Sequence, residues 1–309
     1  MRRTCLEAVH ELAKRDDRVV FVGSDLGPGT LEGLRDEFPD RYFMEGVAEA
    51  NVIGMAAGMA MEGFIPFVNT IATFITRRGL EQIAVDICLH NLPVRLIANG
   101  GGTVYAPLGP THLAFEDIAV MRALPNMTVF VASDREEMRR FMDQSLDWAG
   151  PIYIRLAKGG DPIVSSPAEQ FAIGKTILKR PPGEVLIVAT GTTTARALEA
   201  ADSLAADGIS CGVMHCHTVK PIDAEALCDH AAKVRMLVTV EEHSLVGGLG
   251  AAVVETLVDR LPGAVPRVVR LGIPDVFPSG YGSQDAMMAR YGLSAPDIAA
   301  TVREAFQTA

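Results

Sequence analysis

Short apolar runs alternate along this chain with longer stretches in which apolar side chains recur every three or four residues. Residues 19–23, 64–68, 94–98, 127–132 and 152–156 are brief and mostly apolar, the pattern of strands covered on both faces. Between them, Leu6, Val9 and Leu12 place residues 3–14 on an amphipathic helix. Residues 70–90, 115–124 and 134–148 read as further helices, the first long and continuous. Strands alternating with helices through short connections predict an α/β fold, a doubly wound parallel sheet complete near residue 157. The same rhythm restarts at 185–189 and returns at 210–214, 236–240 and 266–271. The chain thus divides into two doubly wound α/β domains over 1–157 and 184–309, the second smaller, with 158–183 as a linker holding one short strand or hairpin.

At 309 residues the chain can bury a sizeable core in each domain. A formal charge of −10 with no basic stripe argues against nucleic acid as a partner. No run reaches the apolar length of a membrane-spanning helix, and Arg2 and Arg3 are followed by Glu7, His10 and Glu11 rather than by a signal-peptide core. A cytoplasmic protein with no membrane partner is therefore expected. The five scattered cysteines, Cys5, Cys88, Cys211, Cys216 and Cys228, are expected to be reduced and space-filling. Cys211 and Cys216 lie beside His215 and His217, yet adjacent strand positions face opposite ways and no second ligand pair follows at zinc spacing.

Candidate chemistry gathers at strand ends. Glu49 is the one acid between Gly46 and Gly58, a stretch of small and apolar residues, and no lysine or arginine stands near it in sequence. Ala50, Gly54 and Gly58 recur at helical spacing and leave one face open to another backbone or a flat ligand. Such an acid is either functional, tuned toward proton transfer by an apolar setting, or a solvated glutamate favoured by the start of a helix. Asp25, in the strand exit Ser24-Asp25-Leu26-Gly27, is either a ligand contact or a turn cap. The glycines Gly100-Gly101-Gly102 lead into Tyr105-Ala106-Pro107-Leu108-Gly109-Pro110-Thr111-His112, and a histidine in a rigid loop beyond a strand end favours function over structure. The turn Thr190-Gly191-Thr192 lacks the lysine or spaced glycines of nucleotide loops. His243, in Glu241-Glu242-His243, is either catalytic or part of a polar strand-edge cluster holding a loop in place, and the second reading is favoured.

With these loops in order, the sequence resembles the carboxy-terminal portion of transketolase over nearly its whole length. The resemblance implies a thiamine-diphosphate pyrimidine-binding domain at 1–157 and the family's C-terminal domain at 184–309. Gly46-Val47-Ala48-Glu49 matches the motif whose glutamate bonds the pyrimidine ring nitrogen and favours the imino tautomer that takes the thiazolium proton, which implies a catalytic Glu49. Phe74, in Thr73-Phe74-Ile75-Thr76-Arg77, matches the aromatic that stacks on the pyrimidine. Arg77 stands where deoxyxylulose phosphate synthase also has arginine and transketolase an aromatic. Asp25 and Leu26 resemble the family's Ala-Asp-Leu segment near the cofactor, with Leu26 supporting its bent conformation. His112, in Gly109-Pro110-Thr111-His112, matches the histidine that bonds a donor-sugar oxygen and steadies charge as the carbon–carbon bond breaks.

The Gly-Asp-Gly to Asn segment that carries Mg2+ in such enzymes does not occur in this sequence. The resemblance therefore implies no metal ligands here, and a separate N-terminal transketolase subunit that binds diphosphate and Mg2+. An α2β2 heterotetramer with a symmetric dimer of this chain at its core is expected. On the substrate side, Leu108 replaces an acid that reads a donor hydroxyl, Gly29 a phosphate-reading serine, and Gly100 a histidine. Arg155 is either an anionic substrate contact or a pairing residue at the domain edge. The expected activity is transfer of a two-carbon ketol unit from a ketose to an aldehyde or other acceptor, with the sugars left open. The β subunit of a 2-oxoacid decarboxylase, a deoxyxylulose phosphate synthase and a scaffold without chemistry are the alternatives.

Overall fold

Val19–Gly23 (β1), Tyr42–Met44 (β2), Ile65–Ile71 (β3), Arg95–Asn99 (β4), Thr128–Val131 (β5) and Ile152–Leu156 (β6) run parallel in one sheet of the computed structural model. The structure describes residues 1–23 and 29–308. Strand order is β5-β6-β4-β3-β1-β2, so β1, β3 and β4 lie side by side at the middle. Successive strand residues point to opposite faces, and each face has its own helices. Phe21, Phe67, Ile97 and Phe130 pack with α1 (Arg2–Arg15) and with Met138 and Phe141. Val22, Val68, Leu96 and Val129 pack on the other side with Val52, Ile53, Ile75 and Ile118. Between β1 and β2 the chain forms the short helix α2 (Glu32–Glu37). The remaining helices of this half are α3 (Glu49–Met61), α4 (Ala72–Arg78), α5 (Leu80–Gln82), α6 (Asp117–Ala123) and α7 (Arg135–Ser145). Burial on both faces is why these strands read as apolar runs.

One long helix is expected over 70–90, and the structure divides it. Thr70 and Ile71 extend β3, α4 ends at Arg78, and beyond Gly79 and α5 the chain enters a π-helical turn, Ile83–Cys88. The break is steric. A Cβ on Gly79 would lie 2.0 Å from Ile53 Cδ1 and 3.1 Å from the Ile75 carbonyl, so with glycine there α4 closes against α3 without displacing Ile53.

The second sheet has β7 (Ile177–Arg180), β8 (Val185–Ala189) and β9 (Cys211–His215), with β11 and β12 beyond. Between β9 and the last strands, Thr218–Lys220 (β10) leaves this sheet and pairs antiparallel with β5, extending the first sheet to seven strands. Sequence pattern does not register this crossing because three residues carry no period. Lys220 fixes it by donating from Nζ to the carbonyls of Arg122, at 3.0 Å, and Leu124. Next come α8 (Thr193–Ala206), α9 (Ala224–Ala231), β11 (Met236–Ser244), α10 (Leu249–Arg260), β12 (Arg267–Ile273), α11 (Gln284–Arg290) and α12 (Ala295–Gln307). The order β12-β11-β8-β9-β7 is parallel except for β7, the linker strand.

Buried polar groups join the halves. Asp134 caps α7 through the amides of Glu136 and Glu137 and also accepts from Val164 N, Ser165 N and Ser165 Oγ, which ties down the linker. His215 bridges Thr194 Oγ1 at 2.7 Å and Glu137 Oε2 at 2.9 Å. Burial raises the Glu137 carboxyl, but the His215 imidazole outweighs it and holds the acid down at about 2. All five cysteines are free and buried, and among the described residues no group of three His, Cys, Asp or Glu is disposed to hold a metal ion. Among the same residues no helix is long and apolar enough to cross a membrane.

Candidate active site

The carboxyl ends of β1, β3 and β4 open on one edge of the first sheet, the edge at which α/β proteins bind ligands. From β3 the chain turns into α4 without a loop, which sets Phe74 at the sheet edge with Arg77 and Arg78 in the last turn, where cations complement the helix dipole. From β4 it passes through Gly100 and Gly102, both at positive φ, and leaves the sheet as a loop. Gly102 and Ala114 close that loop by exchanging N–H···O bonds of 2.8 and 3.0 Å. A Cβ on Gly102 would sit 2.6 Å from Glu242 Cδ, so this tight approach requires glycine. Glu242, 4% exposed, comes from β11 and accepts from Thr103 N at 2.7 Å, Thr103 Oγ1 at 2.6 Å and Gln284 Nε2. The second domain thereby clamps the root of the loop that carries His112.

Glu49 begins α3 and is 5% exposed. It is not the unpartnered acid that its own segment suggests: Arg78, twenty-nine residues on, reaches both carboxylate oxygens with Nη1 at 3.2 Å. The same guanidinium lies over the Phe74 ring, 3.9 Å from its centroid. Phe74 is half-buried, and its ring meets the His112 imidazole edge-on at 5.2 Å. Glu49, Arg78, Phe74 and His112 thus form one continuous cluster from three separate segments. His112 Nδ1 lies 2.9 Å from Thr111 Oγ1. Arg77 borders the cluster, bonded through Nε to Glu116 and through Nη2 to the Leu113 carbonyl.

Other expected positions lie apart. Leu108 shares the His112 loop and is 51% exposed. Gly109 beside it has φ +81° and abuts the Tyr281 ring, so the second domain packs on this loop again. Arg155 is 6% exposed and engaged at the domain edge: Nε donates to Asp117 Oδ2 at 2.7 Å, and Nη2 to the carbonyls of Ala114 and Glu242. Asp25 and Leu26 lie outside the described residues. His243 holds a loop as its local sequence suggests, accepting from Ala119 N and bonding the Ser244 carbonyl. Arg78 and Glu116 escaped the sequence reading, and Glu242 entered it only as a member of the polar cluster around His243. For Arg78 a signal existed, since Phe74 and Arg78 stand four apart on one helix and share a face.

A carboxylate, an aromatic face and an imidazole thus meet at the carboxyl edge of a parallel sheet, the edge at which the α/β class of protein binds ligands. Residues 1–160 match the model of the transketolase pyrimidine binding domain, and residues 174–298 that of the transketolase C-terminal domain. The chain belongs to the transketolase family. It is 37% identical over 305 residues to the 6-deoxy-6-sulfo-D-fructose transketolase subunit of Clostridium sp. (strain MSTE9), covering 98% of this chain and 94% of that one. It is also 37% identical to 1-deoxy-D-xylulose-5-phosphate synthase 1 of Geobacter sulfurreducens, covering 98% of this chain but only 47% of that longer protein. A solved structure titled as a split gene transketolase, an inactive beta4 tetramer, superposes with a TM-score of 0.90 at 40% identity, covering 99% of this chain and 98% of that one.

Proposed function

We propose that this chain is the pyrimidine-binding, C-terminal subunit of a two-chain transketolase dependent on thiamine diphosphate. It moves a two-carbon ketol unit from a ketose to an aldehyde acceptor. The observation that carries this reading is the gathering of Glu49, Phe74 and His112 into one cluster at the sheet edge. The residues fit the cofactor's aminopyrimidine. A cation with N–H donors already lies over the Phe74 ring and reaches the Glu49 carboxylate, so these two groups suit the combination of a π face and a hydrogen-bonding edge that such a ring presents.

Bound thiamine diphosphate supplies the acidic thiazolium carbon and the electron sink for carbon–carbon cleavage. Glu49, almost fully enclosed, would hydrogen-bond the ring nitrogen. Phe74 fixes the tilt of the ring by stacking. His112, edge-on to Phe74, offers an N–H to the donor-sugar oxygen and steadies the charge that develops there as the bond breaks. Arg77 borders the ring site through Glu116. Leu108, exposed on the same loop, presents a methyl surface where an acid would read a hydroxyl, which favours donors lacking a charged partner there.

The diphosphate and Mg2+ are assigned to a partner chain, the N-terminal transketolase subunit, in a cytoplasmic α2β2 heterotetramer. Similarity to a transketolase subunit and to a split gene transketolase supports this division. An open face on α3 supports a dimer of this chain at the centre, because Cβ atoms added to Gly54 or Gly58 would meet nothing within 4 Å. The proposed domain limits are 1–157 and 184–309, with β10 of the second inserted in the sheet of the first. The test is reconstitution of this chain with a diphosphate-binding subunit, thiamine diphosphate, Mg2+ and a panel of ketoses. Turnover is expected, and Glu49→Gln lowers it at least a hundredfold; a variant as active as the native chain removes the proposal.

A further inference from the structure

Arg78 occupies both surfaces that the cofactor ring needs. Its guanidinium carbon stands 3.9 Å from the Phe74 centroid, and Nη1 bonds both Glu49 oxygens at 3.2 Å. A guanidinium is planar and delocalised, with N–H donors along its edge and faces that stack on aromatic rings. An aminopyrimidine has the same combination of a flat face and an N–H-bearing edge. The two groups cannot lie on one Phe74 face and one carboxylate together.

We propose that Arg78 is a placeholder for the aminopyrimidine, covering the Glu49–Phe74 slot until thiamine diphosphate displaces it. This rests on the reading of Glu49 and Phe74 as the cofactor slot. The residue is built for such an exchange. Glu49 is enclosed, and an ionised carboxylate enclosed without a partner is costly, so Arg78 protects the fold while the slot is otherwise unfilled. Arg78 itself is 46% exposed, sits in the last turn of α4 beside Gly79, and among the described residues its side chain hydrogen-bonds only to Glu49. Rotation about its own side-chain bonds carries the guanidinium into solvent, where water replaces the lost bonds, and no backbone has to move. Sequence neighbours do not have this freedom, since Arg77 is tied to Glu116 and the Leu113 carbonyl.

The consequence is a cofactor affinity reduced by the fraction of molecules in which Arg78 covers the slot. An ion pair that is half exposed and one cation–π contact together make that reduction roughly three- to thirtyfold. The test is calorimetric titration of thiamine diphosphate into the reconstituted two-chain complex with Mg2+, using the native chain, Arg78→Gln, Arg78→Lys and Phe74→Ala. Thermal unfolding of each chain without cofactor is followed in parallel. Arg78→Gln is expected to bind roughly three- to thirtyfold more tightly and to unfold at a lower temperature without cofactor, with Arg78→Lys between it and the native chain. Unchanged or weaker binding by Arg78→Gln, with Phe74→Ala impaired, overturns the placeholder role and leaves the cofactor slot standing. Equal binding by Phe74→Ala and the native chain, or no binding by either, overturns the slot and the placeholder with it.

Discussion

Replacement of Glu242 by alanine tests whether the second domain holds the His112 loop in place. The carboxylate is almost fully enclosed and accepts from Thr103 N, Thr103 Oγ1 and Gln284 Nε2. Gln284 is half-buried and can turn to water, so its loss costs little. Thr103 is fully buried, and the substitution leaves its amide and hydroxyl without acceptors. At about 1–3 kcal/mol for each of the two buried donors left unsatisfied, the variant loses about 2–6 kcal/mol. That is a large part of the roughly 5–15 kcal/mol by which a domain is stable. The assay is urea unfolding followed by fluorescence of Trp148, the single tryptophan, whose indole N–H bonds Thr128 at the start of β5 and so reports on the first domain. The midpoint is expected to fall with the slope unchanged. Glu242→Gln keeps one acceptor oxygen for Thr103 and loses less than half as much. Turnover of the reconstituted enzyme is expected to drop roughly tenfold, since a small displacement of His112 is magnified in the rate. A Glu242→Ala chain within about 1 kcal/mol of the native one refutes the clamp, because two orphaned buried donors cannot cost so little.

Three further outcomes follow from the same structure. Arg95 is fully enclosed and donates to the carbonyls of Ser145, Leu146, Trp148 and Gly150 around the end of α7, so Arg95→Met is expected to cost about 3–5 kcal/mol in urea unfolding. Phe74→Ala removes the stacking face and is expected to weaken thiamine diphosphate binding roughly five- to a hundredfold by calorimetry, in line with about 1–3 kcal/mol for a base stacked on an aromatic ring. Burial pushes the His217 imidazole down to about 3, from an ordinary value of 6.5. The unfolded chain therefore takes up a proton below pH 6.5 while the folded chain does not, and the associated stability, complete above 6.5, is lost as the pH falls toward 3. His217→Gln is expected to flatten the fall in Tm between pH 6.5 and about 5.5, above the range in which Glu137, with an ordinary value of 4.5, begins to protonate in the unfolded chain; an unaltered pH profile counts against this assignment.

Much of the architecture was legible because strands covered on two faces must be apolar, and β6 and β8 run over the very residues their sequence suggests. The long helix at 70–90 was misread for a reason of the same kind. Apolar periodicity continues through Gly79, whereas the crowding of Ile53 against that position is visible only when α3 is in place. β10 was missed because its partner, β5, lies some ninety residues earlier in the chain and pairs through backbone groups that any sequence has.

The sequence by itself determined two α/β units, the strand-end loops that bear chemistry, and the residues Glu49, Phe74 and His112 within them. The units and loops follow from local rules, the spacing of apolar residues and the chain's need for glycine at tight exits, whereas Phe74 and the roles of Glu49 and His112 came from the resemblance to transketolase motifs. Tertiary structure alone decided who stands beside them. Arg78 pairs with Glu49 across twenty-nine residues, Glu242 of one domain clamps Thr103 of the other, and Arg155 turns inward to Asp117 and two carbonyls. Enclosed charges take whichever opposite group the packed chain brings within reach, and nearness in space, unlike helical or strand period, leaves no repeat in the sequence.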